Sequence, residues 1–233
     1  MFRALFLTAF LLAASLANAA TIVEIRMPIG TVTLELYDED KPITVSNFLS
    51  YIESGRYENS FAHRLDPGFV IQGGGFTLDD NTIKGVPTFD AIKNEYSSGA
   101  TYSNLYGTIA MARVGGKVDS ATSQWFINLG DNAFLDTVDE GFTVFGKVIS
   151  GFEVLERLNT TFDDDDFDVD LVGDASGSLG GAFGELPLLF RALHPDALLY
   201  TEIVIVPEPA TFMLGFLGLT TVAILARRRR YSR

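Results

Sequence analysis

Phe61 to Gly75 reads FAHRLDPGFVIQGGG, and this stretch constrains the fold more tightly than any other. Proline and glycine punctuate strands, so Asp66-Pro67-Gly68 predicts a turn between two short strands. Side chains alternate faces along a strand. Val70 and Gln72 are therefore expected on one face with Gly68, and Phe69 and Ile71 on the other. Arg64 to Gln72 puts a cation, a bulky apolar run and an amide within nine positions. That combination suits a pocket that accepts a ring and orients a carbonyl beside it. The same residues also suit a β-hairpin with a surface arginine, and a short motif does not separate the two. Gly73-Gly74-Gly75 is not a phosphate loop, because no Lys-Ser/Thr follows. It lets the backbone bend beside the pocket.

The rest of the body reads as mainly β, a barrel with few helices. Val23, Ile25 and Met27 alternate with Glu24 and Arg26, Pro28-Ile29-Gly30 turns the chain, and Val32, Leu34 and Leu36 alternate with Thr31, Thr33 and Glu35. This predicts a hairpin with one dry face and one wet face. Val45, Phe48, Leu49 and Ile52 have helical spacing, with Thr44 as N-cap and Gly55 past the end. The apolar stripe of that helix would plug one end of a barrel. Phe76 to Tyr106, rich in Asp, Asn, Gly and Ser, predicts long loops, where binding surfaces tend to sit. Short strands are expected at Thr108–Ala112, Gln124–Asn128 and Thr143–Val148, then a short helix, Phe152 to Leu158, burying Phe152, Leu155 and Leu158. An apolar fraction of 47% with 19 Phe can fill a sizeable core. A net charge of −13 argues against nucleic-acid binding. The lack of cysteine excludes disulfides and thiolate chemistry.

Four later motifs extend the opening stretch: GTIAMAR (Gly107–Arg113), DSATSQWFIN (Asp119–Asn128), NAFLD (Asn132–Asp136) and GFTVFGKV (Gly141–Val148). Together they resemble the cyclophilin family of peptidyl-prolyl cis-trans isomerases, and most of all its bacterial exported branch. The resemblance runs from about Thr21 to Leu158 and resumes near Leu199 to Val206. It implies a closed eight-stranded antiparallel β-barrel capped by two α-helices. It also implies an enzyme that turns X–Pro bonds without cofactor or metal. Arg64 matches the arginine that donates to the twisted amide. Gln72 matches the glutamine that binds substrate carbonyl and steadies the arginine. Phe69, Phe126 and Leu135 match the walls of the proline pocket, and Val70 stands where many members have Met. Gln124 matches a second polar contact. Ala112 and Arg113 match the strand segment that pairs with substrate backbone; eukaryotic members often have Asn where Arg113 stands. Phe134 occupies a position, Trp in many eukaryotic members, tied to cyclosporin binding, so strong inhibition does not carry over. Phe142 stands where many members have His and bacterial ones often have Tyr. His63 and His194 receive no role. The same groove would also serve a non-catalytic proline-peptide-binding surface or matrix protein.

Thr161 to Ala197 departs from the family pattern. Asp163 to Asp166, then Asp168, Asp170, Asp174 and several glycines, read as a solvated insert before the last strand. Calcium is the alternative, since it takes six to eight oxygen ligands, but the ordered EF-hand positions are missing. A calcium-dependent adhesive protein would build on this loop. At the N-terminus, Arg3, the apolar run Ala4 to Leu16 and Ala17-Asn18-Ala19 predict a signal peptide cleaved near Ala19. At the C-terminus, Pro207-Glu208-Pro209 precedes an uncharged apolar run, Thr211 to Ala226, and the block Arg227 to Arg230. That order resembles a PEP-CTERM sorting signal. As a transmembrane helix the run reaches about 24 Å, short of a hydrocarbon core of about 30 Å; snorkelling arginines close part of the gap. The division expected is 1–19 signal peptide, 20–206 barrel domain with the insert at 161–197, and 207–233 sorting segment. The destination is exported: periplasm, inner-membrane-anchored, or cell surface or extracellular matrix after sorting. Proline-containing polypeptides and sorting machinery at the inner membrane are the expected partners, and the chain is expected to be a monomer.

Overall fold

A computed structural model describes residues 20–80, 82–160, 186–187 and 195–207. The predicted signal peptide, most of the 161–197 insert and the apolar run at 211–226 lie outside the described residues. Among those described, no helix is long and apolar enough to cross a membrane.

Eight strands form one antiparallel, curled sheet: β1 (Ile22–Met27), β2 (Gly30–Leu36), β3 (Arg64–Asp66), β4 (Val70–Gly73), β7 (Thr108–Met111), β8 (Trp125–Asn128), β9 (Val144–Ser150) and β10 (Glu202–Val206). Their order is β10-β1-β2-β9-β7-β8-β4-β3. The ladders stop at β10 on one side and β3 on the other, so a closed ladder is not seen; the flanking residues Phe61 and Tyr200 meet in an isolated bridge. The fold is a half-barrel with two α-helices, α1 (Pro42–Glu53) and α2 (Phe152–Thr160).

The alternating residues of the first hairpin do form its dry face: Val23, Ile25, Val32 and Leu34 are fully buried. Helix α1 covers this core, but with a stripe turned from the expected one. Val45, Phe48 and Tyr51 are buried, while Leu49 and Ile52 are only partly so. Its N-cap is Lys41, not Thr44, and Pro42 opens the helix. Proline suits that position because its missing N–H would have no helical partner. In α2, Val154 joins Leu155 and Leu158 in the core, whereas Phe152 is 42% exposed and stacks on Tyr106 at 6.2 Å.

The stretch expected as loops from Phe76 onward contains a hairpin, β5 (Phe76–Asp79) with β6 (Thr82–Gly85). Polar composition hid it because its strands are short and largely solvent-facing, apart from Phe76 and Thr77. The sheet thus has two apolar faces. The inner one holds Ile71, Ile109, Trp125 and Ile127. The outer one is a smaller cluster built on Val70, Ala110, Phe126, Leu135 and Val144.

Candidate functional site

The outer cluster lies on a row that crosses four strands. Arg64 on β3 is paired with Gln72 on β4, Gln72 with Phe126 on β8, and Phe126 with Ala110 on β7. Directly opposed residues share a face, and strands stand about 4.8 Å apart. The row therefore puts a guanidinium, an amide and an aromatic ring on one face within about 10 Å. Beside it, the register of β7 against β9 slips between Ile109 and Ala110. Such irregularities re-aim side chains.

The turn before β4 corrects one expectation. Ile71 enters the inner core, but Phe69 packs on the outer cluster with Val70. Phe69 precedes the strand, so alternation does not reach it. Gly68, at φ +76°, and a hydrogen bond from Phe69 N to Asp66 O at 2.9 Å shape this turn. Its carbonyl accepts from Leu129 N and Asn132 Nδ2, each at 2.8 Å. Arg64 Cζ stands 5.3 Å from the centre of the Phe69 ring, and Arg64 Nη2 is 3.2 Å from an Asp66 carboxylate oxygen.

Leu135 comes from the 3₁₀ turn Ala133–Asp136. Buried Asn104 holds that turn, donating to Asp136 from its backbone at 3.0 Å and its amide at 2.8 Å; Ser103 also bonds Asp136. Phe134, from the same turn, is 55% exposed and stacks on Phe69 at 5.8 Å. Phe142 meets Phe126 edge-on at 5.9 Å. Thus Phe69, Val70, Ala112, Phe126, Leu135 and Phe142 share one cluster, and Phe134 forms its exposed rim.

The polar residues form a relay. Gln72 Nε2 donates to Gln124 Oε1 at 2.7 Å. Gln124 also hydrogen-bonds His63, a 3% exposed ring packed edge-on against Phe76 at 5.1 Å. Burial pushes the His63 pKa down to about 4, with the Gln124 bond opposing and the neighbouring Arg64 charge adding to the shift. Space for this packing comes from the glycines: a Cβ on Gly73 would stand 2.6 Å from the Trp125 ring. Gly74, at φ +75°, would meet Ser123 O at 2.5 Å.

Two further candidates bond within the protein. The Ala112 N–H donates to Gln124 O at 2.9 Å. The Arg113 side chain turns to the loop ahead of Phe142 and bonds carbonyls there. His63, Asp66, Asn104, Asn132 and Asp136 were missed as site-supporting residues. Asn132 and Asp136 bracket the NAFLD motif, and polar residues bounding an apolar triplet were the available signal.

Residues 22–172 match the model of a family described as cyclophilin type peptidyl-prolyl cis-trans isomerase/CLD. Residues 206–230 match the PEP-CTERM protein-sorting motif. Over 145 residues the chain is 46% identical to peptidyl-prolyl cis-trans isomerase A of Dickeya dadantii, covering 61% of this chain and 73% of that one. It is 40% identical over 134 residues to peptidyl-prolyl cis-trans isomerase B of Escherichia coli, covering 55% of this chain and 78% of that one. Among solved structures, a cyclophilin type peptidyl-prolyl cis-trans isomerase of Cryptosporidium parvum is alike in fold, with a TM-score of 0.56 at 23% identity over 82% of this chain and 99% of that one.

Proposed function

The chain belongs to the cyclophilin-type peptidyl-prolyl cis-trans isomerases, and from that premise we propose how its groove works. Its substrates are X–Pro bonds of exported proteins. The proline ring sits against Phe69, Phe126 and Leu135, with Val70, Phe134 and Phe142 around it. Arg64 donates to the amide nitrogen as that nitrogen loses conjugation, and Gln72, backed by Gln124, holds a substrate carbonyl. The backbone at Ala112 and Arg113 borders the substrate strand, while the Arg113 side chain turns away to the loop before Phe142.

The chemistry follows from the bond. Conjugation raises a barrier of about 18–20 kcal/mol to rotation. The two isomers differ by only about 0.5–1 kcal/mol, so nothing but the barrier needs lowering. A twisted amide has a pyramidal nitrogen that accepts a hydrogen bond, which the planar amide does not. A guanidinium is always charged and only donates, so it favours the twisted state selectively. A charge-assisted hydrogen bond contributes about 1.5–3 kcal/mol, and tenfold in rate needs about 1.36 kcal/mol. Arg64 alone then explains roughly one to two orders of magnitude. The rest falls to an apolar pocket that excludes water and fits the twisted state.

The observation that carries this reading is the row Arg64, Gln72 and Phe126 across β3, β4 and β8. The bridge between Phe61 and Tyr200 supports reading the curled sheet as a closing barrel. The PEP-CTERM motif supports an exported protein, with 1–19 as signal peptide, 20–206 as the catalytic domain and the sorting machinery as a second partner.

The test is isomer exchange of a proline tetrapeptide by the full-length chain beside Arg64→Ala. The wild type should accelerate exchange, and the variant should lose roughly ten- to hundredfold in kcat/KM. Equal rates would remove Arg64 from the mechanism. Peptide binding without acceleration would make the groove a binding module instead.

A further inference from the structure

Arg113 is part-buried, and its side chain folds back onto the protein. Its Nη2 donates to the carbonyls of Asp139 at 2.6 Å, Gly141 at 3.0 Å and Val138 at 3.2 Å. Its Cζ stands 4.3 Å from the centre of the Phe142 ring. Among the described residues, its Nε and Nη1 are buried without hydrogen-bond partners. Burying even two nitrogens of a cation is costly, and a stack on an aromatic face offsets part of that cost.

The segment it grips is strained. Asp139 and Glu140 have φ of +46° and +67°, followed by Gly141 at +81°. Consecutive non-glycine residues in the left-handed region persist only where their surroundings over-determine them. Further ties do this. The Asp139 carboxylate accepts from Gly116 N at 2.9 Å, and Asn94 Nδ2 donates to Gly141 O at 3.0 Å. A Cβ on Gly141 would stand 2.5 Å from the Tyr96 ring, which seats the turn against that ring. The next residue is Phe142, whose N–H bonds Leu135 O at 3.1 Å.

We infer that Arg113 is a positioning residue: it holds residues 138–141 in their strained turn and thereby sets where the Phe142 ring stands as the far wall of the groove. This rests on the proposed proline groove, but it gives Arg113 a part that never meets the peptide. A wall binds the ring in the planar and twisted states alike. Losing it therefore raises KM and leaves kcat nearly unchanged.

The experiment measures kcat and KM on a proline tetrapeptide with the full-length wild type, R113A, F142A and the double variant. R113A should raise KM by about tenfold, one contact's worth of binding. The double variant should be no worse than F142A alone, since coupled residues are not additive. Amide exchange at Phe142 should quicken in R113A. Should R113A fail to fold, R113K replaces it, with a smaller rise in KM and the same coupling to F142A. Effects that multiply in the double variant would mean that Arg113 touches substrate itself, and would overturn the inference. So would an unchanged KM. R64A in the same assay keeps the two ideas apart: a retained kcat there would sink the arginine mechanism, while the Arg113–Phe142 coupling in KM would still be readable.

Discussion

His63 stands beside Arg64 and shows what a neighbour in sequence can conceal. The sequence assigned it nothing, yet its bond to Gln124 makes it the inner end of the relay behind Gln72. Burial holds its pKa near 4 against an ordinary 6.5. The folded protein thus keeps the ring neutral where the unfolded chain would protonate it. Stability from this site is complete above about pH 6.5 and falls as pH drops toward 4, by about 3 kcal/mol in all. Urea unfolding between pH 7 and 4 should show this slope, and His63→Gln, which cannot charge, should flatten it. A slope unchanged in that variant would assign the acid sensitivity elsewhere.

At the level of elements, α1 shows why caps are hard to read locally. The acceptor for its N-terminus comes from 51 residues beyond Thr44. The buried Glu95 carboxylate accepts from Thr44 N and Thr44 Oγ1, each at 2.7 Å, and from Ile43 N at 3.2 Å. Lys41, 1% exposed, donates to the carbonyls of Glu95 at 2.7 Å, Tyr96 at 3.3 Å and Ser98 at 2.5 Å. The loop from 94 to 104 is thereby fastened to the helix, and it brings Asn104 to the Asp136 turn and Asn94 to Gly141. Glu95→Ala would strand the Thr44 and Ile43 donors and remove the negative charge near Lys41, whose own bonds to main-chain carbonyls would remain. It should cost about 3 kcal/mol in urea unfolding. A cost below about 1 kcal/mol, the range of exposed pairs, would show that the loop is held by other contacts.

Over the whole molecule, the outer cluster draws on strands β4, β7, β8 and β9 and on turns far apart in sequence. Apart from Tyr37, which packs at its edge, its elements lie between residues 64 and 150, well before the sorting motif at 206–230. A chain ending at Val206, with β10 intact, should keep the wild-type kcat/KM on a proline tetrapeptide. A marked loss would tie the C-terminal segment to the groove.

The sequence by itself determined the strands with alternating faces, the two helices, and a set of motif residues, from Arg64 to Phe142, that belong together. These are local signals: period-two alternation, helical spacing, and short ordered motifs. It also carried the sorting motif, whose order of proline, apolar run and arginines is linear. Tertiary structure alone decided which face Phe69 joins, that Glu95 caps α1, and that Arg113 is spent on the loop before Phe142. Each depends on a partner dozens of residues away or on a turn outside the strand, where the periodicity of a single segment carries no information. A buried polar side chain takes whichever unpaired group the fold brings to it.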